Sequence, residues 1–151
     1  MRLTPVFGLW LLLAMPLCAE LRKVEMKVGG LDCESCASSV DRVVKRIRGV
    51  DTVMFDPKAN VVAVTFKPDN KVTLASIRDA LKGVGYTPAE AHMTASGDVK
   101  HDNGEWQFIL SGPETIFKAT VASEAKPGTA VVEGTVSPDD VLKIEKISAL
   151  P

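Results

Sequence analysis

Residues 28–36 read Val-Gly-Gly-Leu-Asp-Cys-Glu-Ser-Cys and connect a strand-like run to a helix-like run. Before this stretch, residues 24–28 alternate apolar and charged side chains, which predicts a half-buried strand. After it, residues 37–47 carry one apolar stripe at helical spacing. Gly29 and Gly30 allow a sharp turn between the two elements. We therefore predict a strand–loop–helix unit, with Cys33 in the loop and Cys36 in the first helical turn.

The two cysteines of this unit are candidate metal ligands. At this spacing both sulfurs can face one point near the N-terminus of the helix. The free N–H groups and the positive end of the helix dipole favour thiolate there. Two thiolates are sufficient ligands for a soft ion of low coordination number, such as Cu(I) or Hg(II). Cys33 and Cys36 are thus predicted to bind one soft metal ion.

The order of elements over residues 21–93 predicts an α+β fold. Strand patterns recur over residues 50–55 and 62–66, and a weaker candidate strand covers residues 89–93. Thr73 is suited to cap a second helix. The inner face of this helix would carry four apolar residues: Leu74, Ile77, Leu81 and Val84. The resulting βαββαβ order predicts a ferredoxin-like domain, with both helices on one face of a four-stranded antiparallel sheet.

This region resembles the heavy-metal-associated domain, which occurs in copper chaperones, mercury-scavenging periplasmic proteins and the N-terminal tails of metal-pumping P-type ATPases. Residues 30–36 resemble the family motif Gly-Met-x-Cys-x-x-Cys, and Gly85-Tyr86 follows the second helix. The resemblance implies that Cys33 and Cys36 are the metal ligands. It also implies that Leu31 anchors the loop in the core and that Tyr86 lies near the metal and shields it.

The identity of the metal depends most on Asp32. Cu(I) is favoured because copper binders are abundant in the family that this region resembles. An Asp beside the first cysteine, however, resembles the branch of that family that binds Zn(II), Cd(II) and Pb(II), and Hg(II) also remains open. A carboxylate would add a harder third ligand, which suits a divalent ion. Asp32 alternatively only caps the following helix.

Three other interpretations of the same chain remain open. Redox proteins also place Cys-x-x-Cys at a helix N-terminus, so Cys33 and Cys36 could form a periplasmic thiol–disulfide oxidoreductase. The pair could also be an inert structural disulfide. In the third interpretation the protein is an adaptor whose C-terminal region binds a partner. No residue pattern indicates a catalytic site of another kind, so we predict a protein that is not an enzyme.

The N-terminus predicts export. Arg2 precedes an uncharged apolar run over residues 6–15, and Leu17-Cys18-Ala19 is an approximate cleavage site. Residues 1–19 are therefore predicted to be a signal peptide, which places the mature protein in the periplasm or outside the cell. An uncleaved membrane anchor and a lipid on Cys18 are the alternatives. Cleavage would leave only Cys33 and Cys36, which an oxidising compartment can convert into a disulfide.

Charge divides the mature chain into two parts. Residues 20–90 contain 12 Lys/Arg and 10 Asp/Glu, a net of +2, whereas residues 91–151 contain 5 Lys and 9 Asp/Glu, a net of −4. We place a linker at residues 94–104, which are rich in small and polar residues. Four strand-like runs follow, at residues 106–110, 115–122, 129–136 and 141–147. They predict a small antiparallel β module over residues 105–151, OB-like at its end, and its charge gives no support for nucleic-acid binding.

The expected partner is a metal-transporting membrane protein or another thiol-bearing donor or acceptor of the metal. The first helix is basic and would either be solvated or dock on an acidic surface, of a partner or of the second module; its cations are Arg42, Lys45, Arg46 and Arg48. His92, Met93 and His101 form a weaker candidate for an auxiliary soft-metal site. We expect a monomer without a membrane span in the mature chain.

Overall fold

A computed structural model describes residues 20–30, 35–110, 112–121 and 125–150. Two helices and eight strands lie in these residues. In chain order they are β1 (Leu21–Gly29), α1 (Cys36–Val44), β2 (Val50–Asp56), β3 (Val61–Phe66), α2 (Leu74–Lys82), β4 (Thr87–Asp102), β5 (Glu105–Leu110), β6 (Thr115–Val121), β7 (Gly128–Val136) and β8 (Val141–Ser148). Neither described helix has both the length and the apolar character needed to span a lipid bilayer.

The first part of the chain has the predicted ferredoxin-like architecture. Its strands are ordered β2-β3-β1-β4, and each neighbouring pair is antiparallel. The inward residues of β1 are buried, as their alternation predicted. Helix α2 ends at Lys82, two residues before Val84, whose side chain is 41% exposed. The expectation that Val84 lies on the inner face of α2 was therefore wrong, since the chain has already left the helix there.

Strand β4 replaces the predicted linker. It runs without interruption for 16 residues, and residues 94–102 belong to it. The prediction of a linker over residues 94–104 was therefore wrong. Small and polar residues favour loops in isolation. Here each residue from 94 to 102 pairs with a neighbouring strand, residues 94–95 and 98–99 on both edges, and this pairing outweighs intrinsic preference.

Both edges of β4 are used because the strand is shared between two parts of the sheet. Residues 91–95 pair with β1 and with β7 at the same time, so β1 and β7 lie on opposite edges. Residues 98–99 pair with β5 and β7, which places β5 on the same edge as β1, further along the strand. The change of partner from β1 to β5 thus occurs near Ser96, whose N–H donates to the Glu20 carbonyl oxygen at 2.9 Å.

The second part of the chain is a closed barrel that begins with β4. Its strands follow the cycle β4-β5-β6-β8-β7 and return to β4 through the β4–β7 pairing. This is a five-stranded barrel of the OB type, in accord with the OB-like ending that the sequence suggested. One pair, β6–β8, is parallel, so the prediction of a purely antiparallel module was wrong. The parallel pair arises because the chain leaves β6, forms β7 on the far side, and returns through β8.

A single hydrophobic core runs through both parts. The same cluster of buried residues contains Val40 and Leu81 from the two helices and Phe108 and Phe117 from the barrel. Residues of β4 such as Met93 belong to it as well. The helices, the sheet and the barrel are therefore packed as one body around the shared strand.

Candidate metal centre

Cys36 is the cysteine whose surroundings the structure describes. It is the first residue of α1, as predicted, and it is only 8% exposed. Its sulfur is disulfide-bonded, and the other two cysteines, Cys18 and Cys33, lie outside the described residues. Leu31 and Asp32 lie outside them too. A sulfur in a disulfide cannot act as a thiolate ligand until the bond is reduced.

Tyr86 lies beside this cysteine. Its hydroxyl donates to the carbonyl oxygen of Cys36 at the long distance of 3.5 Å. The N–H of Tyr86 donates to the carbonyl oxygen of Leu81 at 3.1 Å, so the last turn of α2 determines where the tyrosine lies. The hydroxyl of the aromatic residue that follows α2 therefore lies against the first residue of α1, and its shielding of a bound ion stays a prediction.

The sequence predicted a sharp turn at Gly29 and Gly30, and the backbone has such a turn at only one of these two glycines. Gly30 has a φ of 87°, in the left-handed region that side chains disfavour. A Cβ atom at this position would lie 3.8 Å from a ring carbon of Tyr86, an ordinary contact. A glycine is thus favoured at position 30 by its backbone conformation, and this position lies next to the ring of Tyr86.

The basic face of α1 is solvated in part and paired in part. Lys45 follows Val44, the last residue of α1, and forms an ion pair with Asp41 at 2.8 Å; both side chains are about half exposed. The helix packs against α2 and β2. An exposed pair of this kind contributes little to stability. The docking role of the other cations stays a prediction.

The three residues of the proposed auxiliary metal site are not brought together. The Nε2 atom of His92 lies 3.5 Å from a carboxylate oxygen of Glu145, whereas Met93 is fully buried in the core. The ring of His101 stacks on Trp106 with 4.5 Å between centroids. The two histidines are nine positions apart in β4, a span of up to about 30 Å in an extended strand. This prediction was wrong, and the described residues contain no group of three or more His, Cys, Asp or Glu that could hold a metal ion.

One carboxylate on the sheet has a shifted pKa. Lys27 of β1 donates to Glu90 of β4 at 2.5 Å. This hydrogen bond, together with the positive charge of Lys27, lowers the pKa of Glu90 below its ordinary value. The contribution of the pair to stability is therefore present above the ordinary pKa of a glutamate and is lost as the pH falls through the lowered value. The side chains are exposed, so the pair is a minor stabilising feature and not part of the metal centre.

The fold and the site together define a class of protein. A βαββαβ layer that begins its first helix with a cysteine is the arrangement that the resemblance to heavy-metal-associated domains implied. The family model described as heavy-metal-associated domain matches residues 25–87. The chain belongs to this family.

Three curated relatives are similar to part of the chain. The copper chaperone CopZ of Bacillus subtilis is 34% identical over 65 residues, which are 43% of this chain and 93% of the chaperone. A copper-transporting ATPase of Oryza sativa, HMA4, is 32% identical over 67 residues, or 44% of this chain and 7% of the ATPase. A zinc-transporting ATPase of Synechocystis is 31% identical over 72 residues, or 48% of this chain and 10% of the ATPase. The chain thus spans no more than a tenth of these two ATPases.

Proposed function

We propose that the protein binds one soft metal ion between the reduced thiolates of Cys33 and Cys36 and passes it to a partner by ligand exchange. The observation that carries the proposal is the position of Cys36 at the N-terminus of α1, where it is only 8% exposed and its carbonyl oxygen lies 3.5 Å from the Tyr86 hydroxyl. The helix end stabilises a thiolate, and limited exposure protects a bound ion from water. Cys33 is proposed as the second ligand because it lies three positions before Cys36 in the sequence. The protein makes and breaks only metal–sulfur bonds, so it is not an enzyme.

Transfer requires a partner that offers its own thiolates. An incoming thiolate attacks the ion, a three-sulfur intermediate forms, and the two sulfurs of the donor then leave in turn. The partner we propose is a metal-transporting membrane protein or another thiol-bearing carrier. Two of the relatives named above are metal-transporting ATPases, which supports this choice. Before the ion binds, two electrons and two protons must convert the disulfide at Cys36 to thiols.

Cu(I) is the ion we propose first. Two sulfurs satisfy its low coordination number, and the names of two relatives contain copper. A zinc-transporting relative supports the alternative, in which Asp32 supplies a third, oxygen ligand to Zn(II), Cd(II) or Pb(II). Hg(II) would use the two sulfurs alone.

We also propose that the protein works after export, in the periplasm or outside the cell. The charged start, the apolar run over residues 6–15 and the small residue at position 19 support cleavage before Glu20. In an oxidising compartment the reduced state of the two cysteines has to be maintained by a reductant.

Native mass spectrometry tests these proposals together. The full chain is expressed with its own N-terminus, recovered from the cell envelope, reduced, and titrated with Cu(I), Zn(II) and Hg(II). We expect a mass that begins at Glu20, one ion per chain, and preference for Cu(I). Cys36→Ser should lose the ion, and Ser38→Ala is the matched control because its hydroxyl lies on the same helix and only donates to the Ser35 carbonyl oxygen. Asp32→Thr should raise the preference for Cu(I) over Zn(II) if the carboxylate is a ligand.

Thiol–disulfide exchange is the second candidate function, because it would use the same two cysteines at the start of a helix. The same preparations distinguish the two functions. Reduced wild-type protein that binds none of the three ions tightly, yet reduces a disulfide substrate such as insulin, would contradict metal binding. An unchanged balance between Zn(II) and Cu(I) in Asp32→Thr would remove Asp32 from the ligands. A mass that includes residues 1–19 would contradict cleavage.

A further inference from the structure

Arg78 is a buried cation that is not among the proposed metal ligands. It lies in the middle of α2, and its side chain is only 7% exposed. Its Nη1 atom donates to a carboxylate oxygen of Asp140, and its Nη2 atom donates to the carbonyl oxygen of Ser137 at 2.8 Å. Its Nε atom is buried and has no hydrogen-bond partner among the described residues. A buried guanidinium with one unsatisfied donor is costly, and its two hydrogen bonds to the barrel offset part of that cost.

Both acceptors belong to the turn between β7 and β8 of the barrel. This turn is well organised on its own: the N–H of Asp140 donates to the Ser137 carbonyl oxygen at 3.1 Å, and the N–H of Val141 donates to the Ser137 hydroxyl at 3.2 Å. The Asp140 carboxylate is 62% exposed, so the pair is desolvated mainly on the arginine side. Arg78 therefore connects α2 to a preformed turn of the barrel. We call these two bonds the Arg78 contact.

The same helix positions Tyr86, whose hydroxyl contacts the backbone of Cys36. The carbonyl oxygen of Leu81, three residues after Arg78, accepts the N–H of Tyr86, and the Tyr86 hydroxyl reaches Cys36. Helix α1, which begins with Cys36, packs on α2. One short helix thus contacts the barrel at its middle and the candidate metal centre at its C-terminal end. A displacement of α2 would move Tyr86 relative to Cys36.

We propose that Arg78 is a positioning residue for the metal centre: it fixes α2 to the barrel and thereby holds Tyr86 over the start of α1. The proposal rests on the proposed metal binding for its effect on the ion, but not for its effect on Tyr86. The barrel is then a support that determines how tightly the metal is covered. Loss of the Arg78 contact leaves both proposed ligands, Cys33 and Cys36, in the sequence and releases the ion faster.

The test uses the full chain and the variants Arg78→Met and Asp140→Asn. Met fills much of the arginine volume without its charge, and Asn keeps the shape of Asp140 while weakening the bond, which provides a second route if Arg78→Met does not fold. Tyr86 is the one tyrosine of the chain, so the ring signals of isotope-labelled tyrosine in NMR spectra report its position without ambiguity. We expect these signals to shift in the reduced, metal-free variants. Release of Cu(I) to a colorimetric chelator should be about threefold faster or more.

Lys82→Met is the matched control, since it removes a cation from an exposed position of the same helix. It should leave both the tyrosine signals and the release rate unchanged. Unshifted tyrosine signals in metal-free Arg78→Met and Asp140→Asn would overturn the proposal, whether or not the chain binds metal. Shifted signals with an unchanged release rate would overturn it as well. Failure of the wild-type chain to bind Cu(I) is a separate result, because it contradicts the proposed function and leaves the tyrosine measurement decisive for Arg78.

Discussion

At the scale of single residues, Gly97 shows how closely strands β4 and β5 approach each other. It lies in β4 just before the pairing with β5 begins. A Cβ atom built on it would meet the backbone carbonyl oxygen of Ile109 and would lie 2.9 Å from a ring carbon of Phe108. The carbonyl oxygen belongs to the neighbouring strand and cannot rotate away. Gly97 is therefore required by space at this position.

We expect Gly97→Ala to destabilise the protein by about 1–3 kcal/mol, the usual range for an overpacked site. Urea unfolding followed by circular dichroism measures the change. Gly29→Ala is the matched control, because its Cβ atom would lie 3.7 Å from Thr87, at an ordinary contact distance, and Gly29 also lies in a strand. Equal stability of the Gly97 and Gly29 variants would show that β4 and β5 can separate at no cost.

At the scale of elements, α2 begins where its sequence predicted. Thr73 is its N-cap, and the threonine hydroxyl accepts the N–H of Ser76 at 3.0 Å. Local chemistry of this kind can be recognised from a few neighbouring residues. We expect Thr73→Ala to lower the free energy of unfolding by about 1 kcal/mol, because one N–H at the start of the helix loses its acceptor. Thermal unfolding measures the loss.

Thr73→Ser is the control for this cap, since serine keeps the hydroxyl and should retain most of the stability. A serine variant as unstable as the alanine variant would mean that the threonine methyl group, and not the cap, is responsible. The helix also carries Arg78, which no sequence pattern identified as buried. An arginine next to Ile77 at the edge of an apolar stripe has the same pattern whether it faces water or a barrel.

At the scale of the whole molecule, the shared strand predicts that the two parts unfold together. They have β4 and one hydrophobic core in common, so neither keeps its buried surface without the other. In the chain that begins at Glu20, Trp106 is the one tryptophan and lies in the barrel, while Tyr86 lies in the metal-binding part. We expect urea unfolding followed by tryptophan fluorescence and by tyrosine NMR signals to give coincident transitions.

Two separate midpoints would contradict this expectation and would make the barrel an independent domain. The control is Arg78→Met, which removes the contact through α2 but leaves β4 shared. The unfolding transitions that the two probes report should still coincide in this variant. Their midpoint should be lower if the Arg78 contact stabilises the molecule. Separation of the two probes only in this variant would show that α2, and not β4, couples the parts.

The amino-acid sequence alone was enough to predict the βαββαβ order, the cap of α2, the position of Cys36 at the start of α1 and the resemblance to the heavy-metal-associated domain. Each of these depends on residues that are neighbours along the chain or on a short motif, so periodicity and spacing reveal them. The folded structure was needed to show that residues 94–102 are a strand and that β6 pairs in parallel with β8. It alone also showed that Arg78 is buried against the β7–β8 turn. These features depend on partners distant in sequence, and a polar strand paired on both edges has the same local pattern as a loop.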